Sequence, residues 1–516
     1  MLIPVHAHHL LATIALILSG FASIAQGHTL IQPEPTRASD WEALSATAAE
    51  LHERLSKVQA NTLEGPLREE LVALEAQLVT FNGNWPMDVE ALGLLARVSM
   101  SLDSASTMDQ AFSELLQLTP EDTQAGLTWA AYWANRDSER ALMILDELIS
   151  MRPESLIYHG ARVKALLLVD PEGLDRRLET LVADENWEQA ALMLEATARN
   201  DAPRAVALTR TLPSIEAAMM TNIPLAVAAA RSLRMNNQFA QARAVLDTFP
   251  EGAITDPGHL YLWSDTCYAD HDFGAAYELL QRIDMASIEK TRPGLHRRLS
   301  VMIPLRKTAY ERWPAEFERR KTDSAAGTNP IAKLTISGRP VTVELYADSA
   351  PNTVGSFLTA AQLGIYDGHE AGQVHTGFRT IFGDREEGDP IPTWNIEDEH
   401  EHPDHRDFYA GTLVAYREAQ PHSSDTRFYI LHFPAPHLNG ARTAFGHVVS
   451  GLDVIREMKQ GDTLDRVEII RPPKDAYEAW ILDNSGTSMP LYMLVEPHLA
   501  PASKPAAEPA ANSPIS

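Results

Sequence analysis

The sequence contains one cysteine, Cys267, in 516 residues. A single thiol closes no intrachain disulfide, and it excludes a Cys-based zinc or iron–sulfur site within one chain. Positive charge is scarce too. Lys and Arg number 43 against 70 Asp and Glu, a formal net charge of −27. A broad nucleic-acid surface needs clustered cations, so no nucleic-acid partner is expected. Beyond residue 25 no apolar run reaches the ~20 residues that span a bilayer. Neither a phosphate-cradling glycine loop nor a G-x-S-x-G elbow is present. What is there is 45% apolar, ordinary for a globular protein, and long enough for several domains of about 150 residues.

The two ends differ from the rest. Residues 10–25, L-L-A-T-I-A-L-I-L-S-G-F-A-S-I-A, are nearly all apolar or small. Ser23 and Ala25 satisfy the small-residue rule for signal cleavage, so residues 1–25 are expected to be an export signal. The first nine residues lack Lys and Arg, which keeps an uncleaved N-terminal anchor as the alternative. The mature protein is then extracytoplasmic, most simply periplasmic, with no stable membrane span after cleavage. Residues 500–516, rich in Ala and Pro, bury too little to offset ordering entropy and are expected to be disordered.

From 38 to 320 apolar residues recur at spacings of three and four, which predicts helices throughout. Leu67, Leu71, Leu74 and Leu78 share one such face. Phe239 and Phe273 are 34 residues apart, as are Ala242 and Ala276. That is the period of the tetratricopeptide helix pair. Residues 129–154, W-A-A-Y-W-A-N-R-D-S-E-R-A-L-M-I-L-D-E-L-I-S-M-R-P-E, resemble that family more closely, with Ala141 at the close approach of two helices and Pro153 ending the unit. Trp187 and Ala190 repeat the pattern. Irregular spacing makes this a degenerate TPR-like array. It reads equally as a helical spacer or as a docking surface for a protein partner.

Residues 321–331 are polar with Gly and Pro and are expected to be a linker. After them the period switches to two. Strands are predicted at 334–336, 341–346, 411–416, 426–433, 443–449 and 466–470, with helices at 349–364 and 452–458. Many strands and two helices in about 140 residues suggest a closed antiparallel β-barrel capped by helices. Residues 473–499 hold two apolar runs, 476–482 and 489–495, able to pack back on a domain.

The runs V-T-V-E-L-Y-A-D-S-A-P-N-T-V-G-S-F-L-T-A-A-Q-L-G-I-Y-D-G (341–368), A-G-T-L-V-A-Y-R (410–417), P-H-S-S-D-T-R-F-Y-I (421–430) and P-H-L-N-G-A-R-T-A-F-G-H-V-V-S-G-L-D-V-I (436–455) resemble cyclophilins, in the same order. Cyclophilins are peptidyl-prolyl cis-trans isomerases. The resemblance covers 332–472 and implies a cyclophilin-like barrel with a surface groove for a proline-containing peptide.

The likeness breaks down where the chemistry is. In H-E-A-G-Q-V-H-T-G-F-R-T-I-F-G-D (369–384), Gly372 stands at the family's His and Gln373 at its catalytic Arg. By the same register Phe378, Tyr429, His437 and Leu438 would bind substrate, while Arg379, Arg427 and Arg442 are basic residues the family lacks at those positions. Whether this is still an active isomerase (rotamase) is left open by the residues. The three arginines are candidate replacements for the missing guanidinium, or together a site for an anionic group. The acidic segment 397–407 places His400, His402 and His405 among carboxylates. Its spacing fits no defined metal motif, and no metal or cofactor is expected.

Two functions follow as expectations. One is an exported folding factor whose cyclophilin-like domain binds, and with reduced activity isomerises, prolyl bonds in unfolded secreted proteins. The alternative is a non-enzymatic scaffold whose helical repeats bind a protein partner.

Overall fold

A computed structural model of the chain describes residues 35–55, 65–134, 136–211, 213–385, 390–473, 479–482 and 488–498. The expected signal segment and the Ala/Pro-rich end lie outside the described residues. The chain divides into two compact units, at Leu181 and Val182. Seventeen described helices precede the first strand. None is long and apolar enough to cross a membrane.

The first unit is helical. Its core is built by the predicted stripe of Leu71, Leu74 and Leu78, joined by Leu92, Leu95, Phe112, Trp129 and Leu148. Ala141 is buried at the start of the helix Ser138–Met151, whose N-cap Asp137 accepts a hydrogen bond from the Arg140 amide.

The second unit joins helices to a sheet. Helix Ile223–Met235 turns back into Phe239–Leu246, and Pro257–Ala269 into Phe273–Gln281. Phe239, Ala242, Phe273 and Ala276 are all buried. The small alanines admit a close approach that the phenylalanines fill beside them. Between the two helices of each pair one residue adopts left-handed backbone, Asn237 (φ 58°) in the first and His271 (φ 63°) in the second. Cys267 is buried here, its thiol pushed up to about 12 by desolvation, so it is protonated and inert.

Residues 321–326, expected in the linker, instead complete a long helix, Pro293–Ala326. Its last turns are held from the side. Arg406, 3% exposed, donates to Glu316 (3.0 Å) and to Asp323, while Arg320 also donates to Glu316 (2.8 Å). Gly327, at φ 64°, closes the helix in the left-handed conformation that glycine adopts at least cost.

The sheet follows at once: β1 (Ile331–Ile336), β2 (Arg339–Leu345), β3 (His369–Glu370), β4 (Gln373–His375), β5 (Arg379–Phe382), β6 (Thr412–Arg417), β7 (Ser424–Leu431), β8 (Ala444–Ser450) and β9 (Thr463–Arg471). Its order is β3-β9-β1-β2-β8-β6-β7-β5-β4, and every pairing is antiparallel. The ladder is that of a curled sheet, and among the described residues no pairing joins its two edge strands. A closed barrel was expected. Yet β3 and β4 are separated only by Ala371 and Gly372, so the chain itself links the two ends. The Gln460 amide donates to the carbonyls of both those residues (3.1 and 3.3 Å). Leu334, Val343, Phe382, Leu413, Phe428, Ile430 and Phe445 fill the interior, with Val354, Phe357 and Ala361 of helix Pro351–Gln362. Helix Leu452–Glu457 is the second expected helix. The C-terminal run packs back as anticipated: β10 (Trp480–Leu482) pairs with β11 (Ser488–Pro490), and Ile481, Leu491 and Val495 join the sheet's core.

Candidate active site: an apolar groove with arginine at its edge

Strand alternation sorts β4, β5, β6 and β7 into two faces. Phe382, Phe428 and Ile430 point into the core. The outer face carries two cross-strand rows. Gln373 pairs with Ile381, Ile381 with Tyr429, and Tyr429 with Val414; one step along, His375 pairs with Arg379 and Arg379 with Leu431. Ile381, Val414, Tyr429 and Leu431 join Phe408, Ala435 and Ala444 in a second apolar cluster, separate from the core, with Phe378, Tyr416 and Leu438 packed at its edge. This is a hydrophobic floor whose seven central residues are at most 6% exposed; the accessible apolar surface is that of Phe378, Tyr416 and Leu438 at its edge. His437 lies beside Phe378, ring centroids 6.0 Å apart, and partial burial lowers its pKa.

Polar groups stand around that floor. Gln373 is exposed, and its Oε1 accepts from His375 Nε2 at 2.9 Å. The Arg379 guanidinium lies 4.7 Å from the Tyr429 ring centroid, 5.1 Å from Phe378 and 5.9 Å from Tyr416. Its Nε is buried with no hydrogen-bond partner. Arg442 donates only to the neighbouring Ala441 carbonyl, at 3.1 Å. Arg427 is differently placed. Its guanidinium is bound by Asp425 (2.7 Å) and Glu418 (2.9 Å) while stacked 4.3 Å over Tyr416. Burial alone would lower its pKa; the two carboxylates outweigh that and raise it. Burial raises the pKa of Tyr429, a shift that Arg379 and Arg442 oppose.

The comparisons with known proteins concern this sheet. A family model described as cyclophilin type peptidyl-prolyl cis-trans isomerase/CLD matches residues 331–474. Peptidyl-prolyl cis-trans isomerase B of Bacillus subtilis is 36% identical over 137 residues, 26% of this chain and 94% of that protein. The chain belongs to the cyclophilin family. A peptidyl-prolyl cis-trans isomerase of Synechococcus elongatus is 32% identical over 133 residues, 25% of this chain and 89% of its own.

The cyclophilin domain therefore carries this apolar patch; of the expected site residues, Gln373, Arg379, Arg427 and Tyr429 face outward on its strands and Phe378, His437 and Leu438 lie at its edge, while Arg442 is placed only against the Ala441 carbonyl. Phe378, Tyr429, Leu438 and His437 come together with Arg379. Gln373 sits one strand away from Tyr429, across Ile381. Gly372 explains itself by proximity: a Cβ there would lie 1.7 Å from Asp384 Oδ2, so the carboxylate occupies the space of any side chain. Sequence reading missed Tyr416, which both Arg379 and Arg427 overlie, and Asp425, which neutralises Arg427. The second was visible in principle, because residues two apart on a strand share a face.

The acidic histidine segment is spent on structure. Glu399 accepts from the Asn352 and Thr353 amides and the Thr353 hydroxyl, capping helix Pro351–Gln362, and Asp398 accepts from Arg417 at 2.6 Å. Among the described residues no group of three or more His, Cys, Asp or Glu could hold a metal ion.

Proposed function

We propose that the groove binds proline-containing segments of unfolded secreted proteins and turns over their prolyl bonds more slowly than an ordinary cyclophilin. The observation that carries this is a preserved apolar floor beside a neutral residue, Gln373. A prolyl amide rotates over ~18–20 kcal/mol because its C–N bond has partial double-bond character. Rotation localises a lone pair on the proline nitrogen, and a charged donor there favours the twisted state over the planar one. Phe378, Tyr429 and Leu438 can grip the ring, while Gln373 offers only a neutral N–H from a shorter side chain. Losing one preorganised donor of this kind costs roughly 10²–10³ in rate.

The remaining parts of the proposal rest on the sequence. The apolar run ending at Ala25 supports export, with a mature chain that begins at Gln26 on N-terminal sequencing. The buried Phe and Ala at a 34-residue interval support a TPR-like array, and its exposed faces are where a protein partner would bind.

Turnover on an Ala-Pro peptide tests the site. Gln373→Arg should raise it by about 10-fold or more, each 1.4 kcal/mol being tenfold. Wild-type turnover equal to that of an ordinary cyclophilin would overturn the reading. Failure of both proteins to bind any prolyl peptide would leave the domain as a scaffold.

A further inference from the structure

Arginines in the second unit are typically matched to carboxylates. Arg427 has Asp425 and Glu418, Arg417 has Asp398, Arg456 has Asp270, and Arg406 has Glu316 and Asp323. Arg379 and Arg442 have no ion-pair partner among the described residues. Of the two, Arg379 is placed against the groove floor, its guanidinium over the rings of Tyr429, Phe378 and Tyr416. Arg379 lies over the floor with its Nε buried and unpartnered. An unmatched cation over apolar rings is electrostatically expensive, and in a chain of net charge −27 the unmatched sign is the rare one. Low local dielectric strengthens whatever anion meets it.

We propose that the groove selects prolyl segments bearing a carboxylate side chain next to the proline, with Arg379 as the residue that receives it. This deepens the proposed function and rests on the groove taking prolyl peptides at all. The apolar floor holds the pyrrolidine ring, and the carboxylate supplies the counter-charge that the protein withholds. Arginine suits this role because its planar fork matches a carboxylate with two parallel N–H donors. Arg427 is excluded from it, since its donors already serve Asp425 and Glu418.

The test uses the full chain and four amidated peptides, so that only side chains differ in charge. Ala-Glu-Pro-Phe-amide is compared with Ala-Gln-Pro-Phe-amide, and Ala-Ala-Pro-Glu-amide with Ala-Ala-Pro-Gln-amide, by calorimetry at low salt. At least one Glu peptide should bind about 10-fold tighter than its Gln counterpart, a difference of ~1.4 kcal/mol. Added salt should shrink the ratio. In Arg379→Gln the ratio should fall toward one, and a ratio that stays at about 10-fold there overturns the assignment to Arg379. Equal binding of both Glu peptides and their Gln counterparts by the wild type overturns the selectivity while leaving prolyl binding intact. If none of the four binds, the groove reading itself fails and the selectivity falls with it. The wild-type ratio decides the selectivity even if the variant does not fold.

Discussion

Acidification from pH 7.5 to 5.5 should destabilise the second unit by several kcal/mol, through three desolvated imidazoles, His432 and His447 buried and His271 partly so. His432 is fully buried between Thr380, whose hydroxyl is 2.8 Å from its Nε2, and Asn237, whose amide is 3.0 Å from its Nδ1. Burial lowers its pKa to about 3, aided by Arg456. His271, in contact with Trp313 and Tyr409, falls to about 3 for the same cause, with Arg320 adding to it. His447, stacked on Tyr346 at 5.4 Å, falls to about 2. Each is a base whose folded pKa lies below its unfolded value of about 6.5, so the unfolded chain takes up the protons. Stability is therefore full above about pH 6.5 and is lost as the pH falls from there toward the folded values. At pH 5.5 an unfolded histidine is about nine-tenths protonated, so each imidazole costs about 1.4 kcal/mol and the three about 4 kcal/mol. Glu344 and Glu399, whose pKa burial raises, work in the opposite direction and trim the sum. A urea midpoint measured at both pH values reads the effect. With a slope of about 1–3 kcal/mol per molar, the midpoint should fall by roughly 1 M or more. A midpoint that stays level or rises on acidification would refute the assignment of these histidines as desolvated and neutral.

Other perturbations address the contact between helices and sheet. Arg406→Ala leaves Glu316 to Arg320 alone and takes from Asp323 its donor, and should cost about 1.5–3 kcal/mol in the same urea assay, whereas an exposed partner such as Arg312→Ala should change stability little. Asn237→Ala removes the hydrogen bonds to His432 and to the Arg456 carbonyl, and about 1–3 kcal/mol with them. Asn237→Gly should lose a similar amount, since glycine adopts the left-handed backbone freely; a near-neutral glycine variant would mean that strain, and not the side chain, dominates at this position.

Much of the sheet was readable because its longer strands alternate. V-T-V-E-L-Y and G-T-L-V-A-Y place every second residue on one face, and these became β2 and β6. The strands β3, β4 and β5 escaped periodicity, being two to four residues long and set around a glycine that yields its space to Asp384. Helix pairing was legible from Phe239, Ala242 and their counterparts, because a core needs apolar residues at fixed spacing. The linker was misread since T-D-S-A-A-G looks like a break, and only Arg406, some eighty positions later in the chain, supplies the charge that stabilises its helical turns. Within the candidate site, the outward-facing residues of β5 and β7 could be read position by position. Which arginine was free could not, because that depends on the carboxylates each one meets in space.

The joint between helices and sheet was the least legible part, for a reason that lies in its chemistry. Asn237 and His271 are polar residues in tight turns, and in isolation each reads as a solvated turn. They occupy the same position of two helix pairs 34 residues apart, and both enter the sheet domain. Asn237 meets His432, whose own amide donates to the Phe378 carbonyl at 2.8 Å. His271 packs on Tyr409, beside the Phe408 that belongs to the groove floor. Phe433 follows His432 and stacks on Phe239 and Tyr268. The contact therefore alternates polar and apolar residues drawn from turns and strand ends, where no periodic pattern can mark them. It meets the sheet behind the candidate site, at the residues adjoining Phe378, and holds the backbone there. The helices of the second unit precede the matched residues 331–474, and their contact falls on the residues beside the candidate site.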